Sequence, residues 1–292
     1  MLDFSHIPSQ QQQNYTFYAT GNWQTWQKPR NAKFIEIFCL GGGGGGGHSN
    51  SNAGVTTGGG GGASGGIVRG LIPAFILPDN LYIQVGKGGV GVLGPGTGGS
   101  GGISYISLQP STSEQTLVCK SSTTVAGGGS TVGGTAPTIS VTALSAFGNL
   151  GLFTAIAGVN GGAPGANTGT SGADIAALGT TLVTGGTGGG GKTGGSIFGA
   201  GGNITSASAI LTTQVNGGVA AGQDGDSGYG TLQPFCGTGG AGGAARSGGT
   251  GQGGKGGNGY FGCGGGGAGG CPVGSVKAGD GGDGLVIITV IT

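Results

Sequence analysis

An apolar run, Phe34-Ile35-Glu36-Ile37-Phe38-Cys39-Leu40, passes without interruption into seven consecutive glycines, Gly41 to Gly47. The first part reads as a β-strand and the second carries no side chains at all. A chain with 83 glycines among 292 residues cannot draw most of its order from a side-chain core. Fixing each residue costs about 1–2 kcal/mol of backbone entropy, and glycine costs most. An ordered fold therefore requires backbone to pack on backbone, with nearly every peptide group hydrogen-bonded. Disorder is the competing reading. Disordered chains, however, combine low hydrophobicity with high charge. Here mean hydropathy is positive and charged residues make up only 7%. Apolar strands bracket the glycine and stand at both ends of the chain, which favours order.

The small net charge, +1, and scattered Lys and Arg exclude a basic stripe, so no nucleic-acid partner is expected. No apolar run approaches the roughly 18 residues of a membrane helix, so no membrane insertion is expected. The start, Met1-Leu2-Asp3-Phe4-Ser5-His6-Ile7-Pro8, lacks the basic and apolar regions of a signal peptide. With Met1 as the natural start, the expectation is a protein made in a host cytoplasm that leaves the cell by assembly into a particle, a virion above all. Of the five cysteines, Cys39 and Cys119 lie in strand-like runs and read as small buried hydrophobes. Cys236, Cys263 and Cys271 sit among glycines and could bridge if oxidised. No Cys or His spacing suggests zinc, and no cofactor or metal is expected.

Residues 1–14 are polar and Gln-rich and read as a tail or docking segment. A β-subdomain with the first glycine block spans 15–120, and residues 284–292 complete it. Its strands are expected at Tyr15–Ala19, Phe34–Leu40, Ile67–Ile72, Leu81–Val85, Ile103–Leu108 and Thr116–Cys119. Gly21-Asn22 turns the chain into Trp23-Gln24-Thr25-Trp26. The closing run Leu285–Ile291 is unbroken and apolar, the type buried on both faces. Residues 121–235 mix Gly, Ser, Thr, Ala and Val with weak periodicity and read as an insertion, with one short helical turn expected within Thr170–Leu182. Residues 236–283 form a second glycine block. There Gly239, Gly242, Gly248, Gly251, Gly254 and Gly257 share one three-residue phase, with Ala245 in step. That period matches a polyproline-II-type helix at about 3.1 Å per residue. Collagen is excluded by the runs of glycine and by only ten prolines. Silk-like arrays are disfavoured by the absence of a uniform repeat. The fold class expected is mainly β and irregular with little or no α-helix. A small antiparallel β-subdomain built from both chain ends clamps a glycine-rich sandwich of polyglycine-II helices.

Several stretches resemble the glycine-rich domain of bacteriophage tail-fibre and receptor-binding adhesin proteins. They are Gly21-Asn22-Trp23, Phe34–Leu40 running into Gly41–Gly47, and Gly58–Gly66 with the strand after it. Leu81–Val85 followed by Gly86-Lys87-Gly88-Gly89 and the ending Gly281-Gly282-Asp283-Gly284-Leu285-Val286-Ile287-Ile288 continue the likeness. It covers the two ends, about half of the chain. The resemblance implies a rigid rod or wedge of polyglycine-II helices whose tip loops bind a bacterial surface.

Motifs that carry chemistry fare poorly. Gly186-Thr187-Gly188-Gly189-Gly190-Gly191-Lys192-Thr193 satisfies the P-loop pattern, but Gly194-Gly195-Ser196-Ile197-Phe198-Gly199 cannot supply the helix whose N-terminus faces the phosphates. The match is read as accidental. Asp224-Gly225-Asp226 and Asp280-Gly281-Gly282-Asp283 lack the further ligands of a calcium loop and read as Asp-Gly turns. His6 and His48 have no catalytic partners in sequence, so no enzyme is expected. Tyr229, Phe235, Tyr260 and Phe261 stand where neighbours cannot shield them. The plainer reading makes them caps or gap-fillers of the glycine helices. The functional one makes them receptor contacts, since rigid aromatics give contact area at low entropy cost. Trp23 and Trp26 either pack the β-subdomain or form its docking surface on the virion. The function expected is a non-catalytic virion structural protein, a tail-fibre or fibre-tip adhesin. Its partners would be other virion proteins and a host glycan or outer-membrane protein, and homo-oligomers are compatible with this. The alternative is a capsid or tail decoration protein. An ice-binding protein is the third reading, and it lacks the regular Thr/Ala/Val face it would need.

Overall fold

A computed structural model describes residues 12–49, 56–139, 149–177, 182–206, 214–230, 237–247, 251–271 and 275–292. Its strands are β1 (Gln13–Phe17), β2 (Gln24–Gln27), β3 (Phe34–Leu40), β4 (Ile67–Pro73), β5 (Asn80–Gln84), β6 (Tyr105–Ser107), β7 (Leu117–Lys120), β8 (Leu152–Ile156), β9 (Ile175–Ala177), β10 (Ile204–Ser206) and β11 (Leu285–Ile291). A single 3-10 turn, Ala74–Ile76, is the only helical element among the described residues.

Strands from both chain ends form one antiparallel sheet in the order β1-β11-β3-β4-β8. The last strand lies between the first and the third, with Val286 opposite Cys39 and Phe17 opposite Val286. A second antiparallel sheet has the order β2-β5-β6-β7. Period-2 alternation decides which side chains meet between them. Ile35, Ile37, Cys39, Val68, Ile72, Val286, Ile288 and Val290 from the first sheet pack against Trp26, Leu81, Ile83, Ile106, Val118 and Cys119 from the second.

The glycine segments are continuations of these strands. Sheet order β11-β3-β4-β8 carries on as 276–284, 41–48, 56–66 and 157–166. Gly43 N–H donates to Gly282 O (2.9 Å), Gly44 to Ala63 O (2.8 Å) and Gly61 to Gly162 O (2.9 Å). Order β5-β6-β7 carries on as 86–93, 96–104 and 122–129, held by Gly102 N–H to Lys87 O (2.7 Å) and Gly98 N–H to Gly128 O (2.9 Å). Side chains keep packed sheets about 10 Å apart, twice the spacing of hydrogen-bonded strands. Where the side chains stop, the two layers close to hydrogen-bonding distance. Gly42 N–H then reaches Gly102 O and Gly45 N–H reaches Gly99 O, both at 2.9 Å. The junction at Leu40–Gly41 is thus where a side-chain core gives way to backbone packed on backbone.

Within this bundle the hydrogen bonds repeat every three residues. In 41–48, Gly41, Gly44 and Gly47 donate to Gly66, Ala63 and Gly60. Gly42, Gly45 and His48 donate to Gly102, Gly99 and Gly96, while Gly43 and Gly46 donate to Gly282 and Gly279. Its carbonyls meanwhile receive Gly89 (at Gly43), Gly265 (at Gly44) and Gly128 (at Gly45). One segment therefore bonds on all sides, which a sheet strand cannot do. The same three-way rotation runs through 56–66, 184–192, 237–246 and 262–271. No side chain fits here: a Cβ built on Gly61 would overlap the Gly186 carbonyl and stand 2.7 Å from Thr187 O. Where inner segments do carry side chains, these mend the network. Thr187 Oγ1 donates to Gly202 O (2.6 Å) and accepts from Gly242 N–H (2.8 Å).

One expectation is corrected, and the glycine phase is resolved into its segments. The helical turn expected within Thr170–Leu182 is not formed in its described part. Ile175–Ala177 is extended and pairs in parallel with Ile204–Ser206, because the β-branched Ile175 and Ile204 are buried there. The three-residue phase from Gly239 to Gly257 does not belong to one helix. It spans two antiparallel segments, with Gly254 donating to Ala244 O and Gly257 to Ala241 O, and the chain reverses between them near Gly251 at φ 123. Gly248 lies outside the described residues.

Candidate interaction surfaces

Because every glycine segment is tethered to its neighbours, the bundle has two distinct ends. One adjoins the sheets. At the other, inner segments finish together in side chains of real chemistry: His48, Thr56, Lys192, Arg246 and Cys271. Thr56 and Lys192 exchange backbone bonds of 3.1 and 2.7 Å, and His48 does so with Gly96 (3.0 and 2.9 Å). Arg246 N–H donates to Gly270 O at 3.0 Å. Lys192 is only 1% exposed, and His48, Thr56 and Cys271 are equally buried. Cys271 Sγ lies 3.5 Å from His48 Nε2. Burial lowers the pKa of His48, with the Ser49 backbone opposing it weakly. Burial raises that of Cys271, while the Gly253 backbone and the Lys192 charge pull it back. Burial thus favours the neutral form of both, a thiol beside an imidazole.

Around this distal end the turns expose aliphatic side chains: Leu93, Val132, Ile197 and Val219 are all largely solvent-accessible. Among the described residues the remaining exposed large hydrophobics are Val90 along the side and Tyr18, Phe34, Phe75, Leu150 and Leu152 in and around the β-subdomain. Apolar exposure thus gathers at the two ends.

The described aromatic candidates lie elsewhere than the distal turns. Tyr260 and Phe261 sit at the sheet end, edge to face with centroids 4.9 Å apart, and Phe261 meets Tyr18 at 6.0 Å. Tyr260 lies over Gly230 and Gly237, where an added Cβ would meet its ring at 2.5 Å. Burial raises its pKa, helped by Cys263 and Tyr18. Tyr229 is half-buried against Ile204, Val215 and Ala241. Phe235 lies outside the described residues, as does Cys236. The three described aromatics fill space where glycine segments meet strands. Trp26 is 3% exposed, edge-to-face with Tyr15 at 5.9 Å inside the core, so its indole offers no docking surface. Trp23 is half-buried with its ring 6.4 Å from Tyr105.

The P-loop match is a bundle strand. Its N–H groups from Gly186 to Lys192 are spent on the carbonyls of Gly62, Gly240, Ala173, Gly59, Gly243, Thr170 and Thr56, which leaves none to cradle an anion. The aspartates are not in turns, which corrects the sequence reading. Asp283 Oδ1 accepts from Gly88 N–H and Asp280 Oδ1 from Gly91 N–H, both at 2.8 Å, while Asp224 Oδ1 accepts from Lys255 N–H at 2.7 Å. Each carboxylate stands in for the carbonyl of a neighbour that an outermost segment lacks. The spacing of Asp280 and Asp283 by three was the available signal. Among the described residues no group of three or more His, Cys, Asp or Glu could hold a metal ion.

A family model described as a glycine-rich domain matches residues 18–290. The chain belongs to this glycine-rich domain family. The match runs through 121–235, where local periodicity is weak, as well as through both glycine blocks. Comparison with curated protein sequences gives no significant match.

Proposed function

We propose that the protein is a non-catalytic attachment module of a virion, of the phage tail-fibre or fibre-tip type. Its glycine segments act as polyglycine-II helices forming a stiff spacer. The three-residue rotation of hydrogen bonds supports the helical reading, since polyglycine II has three residues per turn. The observation that carries the attachment reading is the division of exposed apolar side chains between the ends. Leu93, Val132, Ile197 and Val219 stand on distal turns whose backbones the bundle holds in place. Turns fixed in advance lose little entropy on binding, so small aliphatic contacts retain their full worth. The sheet end would join the rest of the particle, and the receptor would be a host glycan or outer-membrane protein.

The test is binding of fluorescently labelled protein to susceptible cells, with competition against infection. The reading expects saturable binding that Leu93→Asp and Ile197→Asp weaken together, with folding unchanged. Binding to particles alone, with none to cells, would favour the decoration role and overturn the adhesin.

A further inference from the structure

The outer face of the five-stranded sheet is covered over only part of its area. Near the glycine bundle, Phe38, Ile67 and Ile287 are buried under Val183, Tyr260 and Phe261. Farther along the same strands the cover ends. Phe34 is 43% and Leu152 76% exposed, with Leu71 and Ile291 beside them. Two adjoining depressions of about 310 and 300 Å³ share Leu71 and Leu152 in their walls. An apolar area on an otherwise well-buried sheet is the type of surface that other proteins cover.

The first depression also contains Glu36 and Arg69. They are diagonal neighbours on adjacent strands, since Glu36 opposes Leu71 and Phe38 opposes Arg69. Among the described residues no ion pair joins the two. Arg69 instead lies over the Phe38 ring, 5.4 Å from its centroid, and its buried Nε has no acceptor. Nε is enclosed by the chain itself, but the half-buried Arg69 still lacks a carboxylate, the partner whose geometry a guanidinium matches. The occupant of this face must therefore bring a carboxylate to Arg69, a cation to Glu36 and apolar groups to Phe34, Leu71 and Leu152. A second copy of the same face, turned by a two-fold axis, supplies all three. Two sheets stacked about 10 Å apart would bring them into reach.

We propose that this face is the contact surface of a two-fold dimer of the chain, in which Glu36 of each copy pairs with Arg69 of the other. The pairing is independent of the attachment reading: a chain that stays monomeric would refute the dimer and leave cell binding untouched.

Charge exchange tests it, read by light scattering on size-exclusion peaks at tens of micromolar protein. The wild type should run at twice the chain mass of 27.3 kDa. Arg69→Glu and Glu36→Arg should each be monomeric, weakened at least tenfold. The double variant Glu36→Arg/Arg69→Glu should dimerise again, and an equimolar mixture of the two single variants should form a mixed dimer. Leu152→Asp, on an exposed edge strand, should also give a monomer without loss of fold. Circular dichroism confirms that each variant is folded. A monomeric wild type, dimeric single variants, or a double variant that stays monomeric would each overturn the proposal.

Discussion

Replacing Gly61 by alanine tests the bundle at one of its tightly closed points. The new Cβ would overlap the Gly186 carbonyl and approach Thr187 O to 2.7 Å, whereas ordinary contact begins near 3.4 Å. Relief requires segment 184–192 to move outward by on the order of 1 Å. That segment is held to 56–66 by Gly186 N–H to Gly62 O and Gly189 N–H to Gly59 O, both at 2.8 Å. Stretched to about 4 Å, both bonds are lost. Each leaves buried groups unsatisfied at about 1–3 kcal/mol. Alanine returns only about 0.4–1 kcal/mol by restricting the unfolded chain. The net loss is about 1–6 kcal/mol, or a Tm lower by roughly 2–9 °C at this chain length. Gly195→Ala is the control, because its Cβ would meet nothing nearer than Thr193 Oγ1 at 3.8 Å. It should be neutral or slightly stabilising in the same calorimetric scan. Equal Tm values for the two variants would refute backbone-on-backbone packing at Gly61.

Thr187→Val should cost about 1–3 kcal/mol in denaturant unfolding, because Gly202 O and Gly242 N–H lose the hydroxyl and keep only their longer mutual bond of 3.2 Å, while Thr187→Ser should retain most of the stability. His48 is held neutral by burial, its pKa lowered from the ordinary 6.5. Just below pH 6.5 the unfolded chain takes up the proton, while the folded chain does so only at lower pH. Stability should therefore fall as pH drops through that value, by at most ~1.4 kcal/mol per unit, and His48→Gln should flatten the profile. Cys39 is fully buried, and burial, then Cys119, raises its thiol pKa well above the ordinary value. Iodoacetamide should label it only on unfolding, and labelling of the native protein within minutes would contradict its place in the core.

Much of the β-subdomain was legible because its strands announce themselves. Phe34–Leu40 and Leu285–Ile291 are mostly apolar runs that abut glycine, the first at its end and the second at its start, and β3 and β11 have those bounds. The edge strand of the same sheet, β8, was not legible, since Leu152-Phe153-Thr154-Ala155-Ile156 is bounded only by weak signals and depends on pairing with β4. Glycine gives no local hint of which segments touch. The phase through Gly239–Gly257 is real, yet it belongs to two antiparallel segments because period alone does not reveal a reversal. Sites were harder still. His48 and Cys271 are 223 residues apart and meet only because their segments end together. Tyr260 looked exposed because its sequence neighbours are small. Its shielding comes instead from Phe261 and from the segments carrying Gly230 and Gly237.

Amide hydrogen exchange across the glycine blocks tests the central claim most directly. If peptide groups of Gly41–Gly47, Gly58–Gly62, Gly186–Gly191 and Gly264–Gly270 are bonded to neighbouring segments, their protons should exchange as slowly as those of β3 and β11. Exchange of these glycines within seconds, beside protected strands, would mean that the bundle does not exist as a cooperative structure.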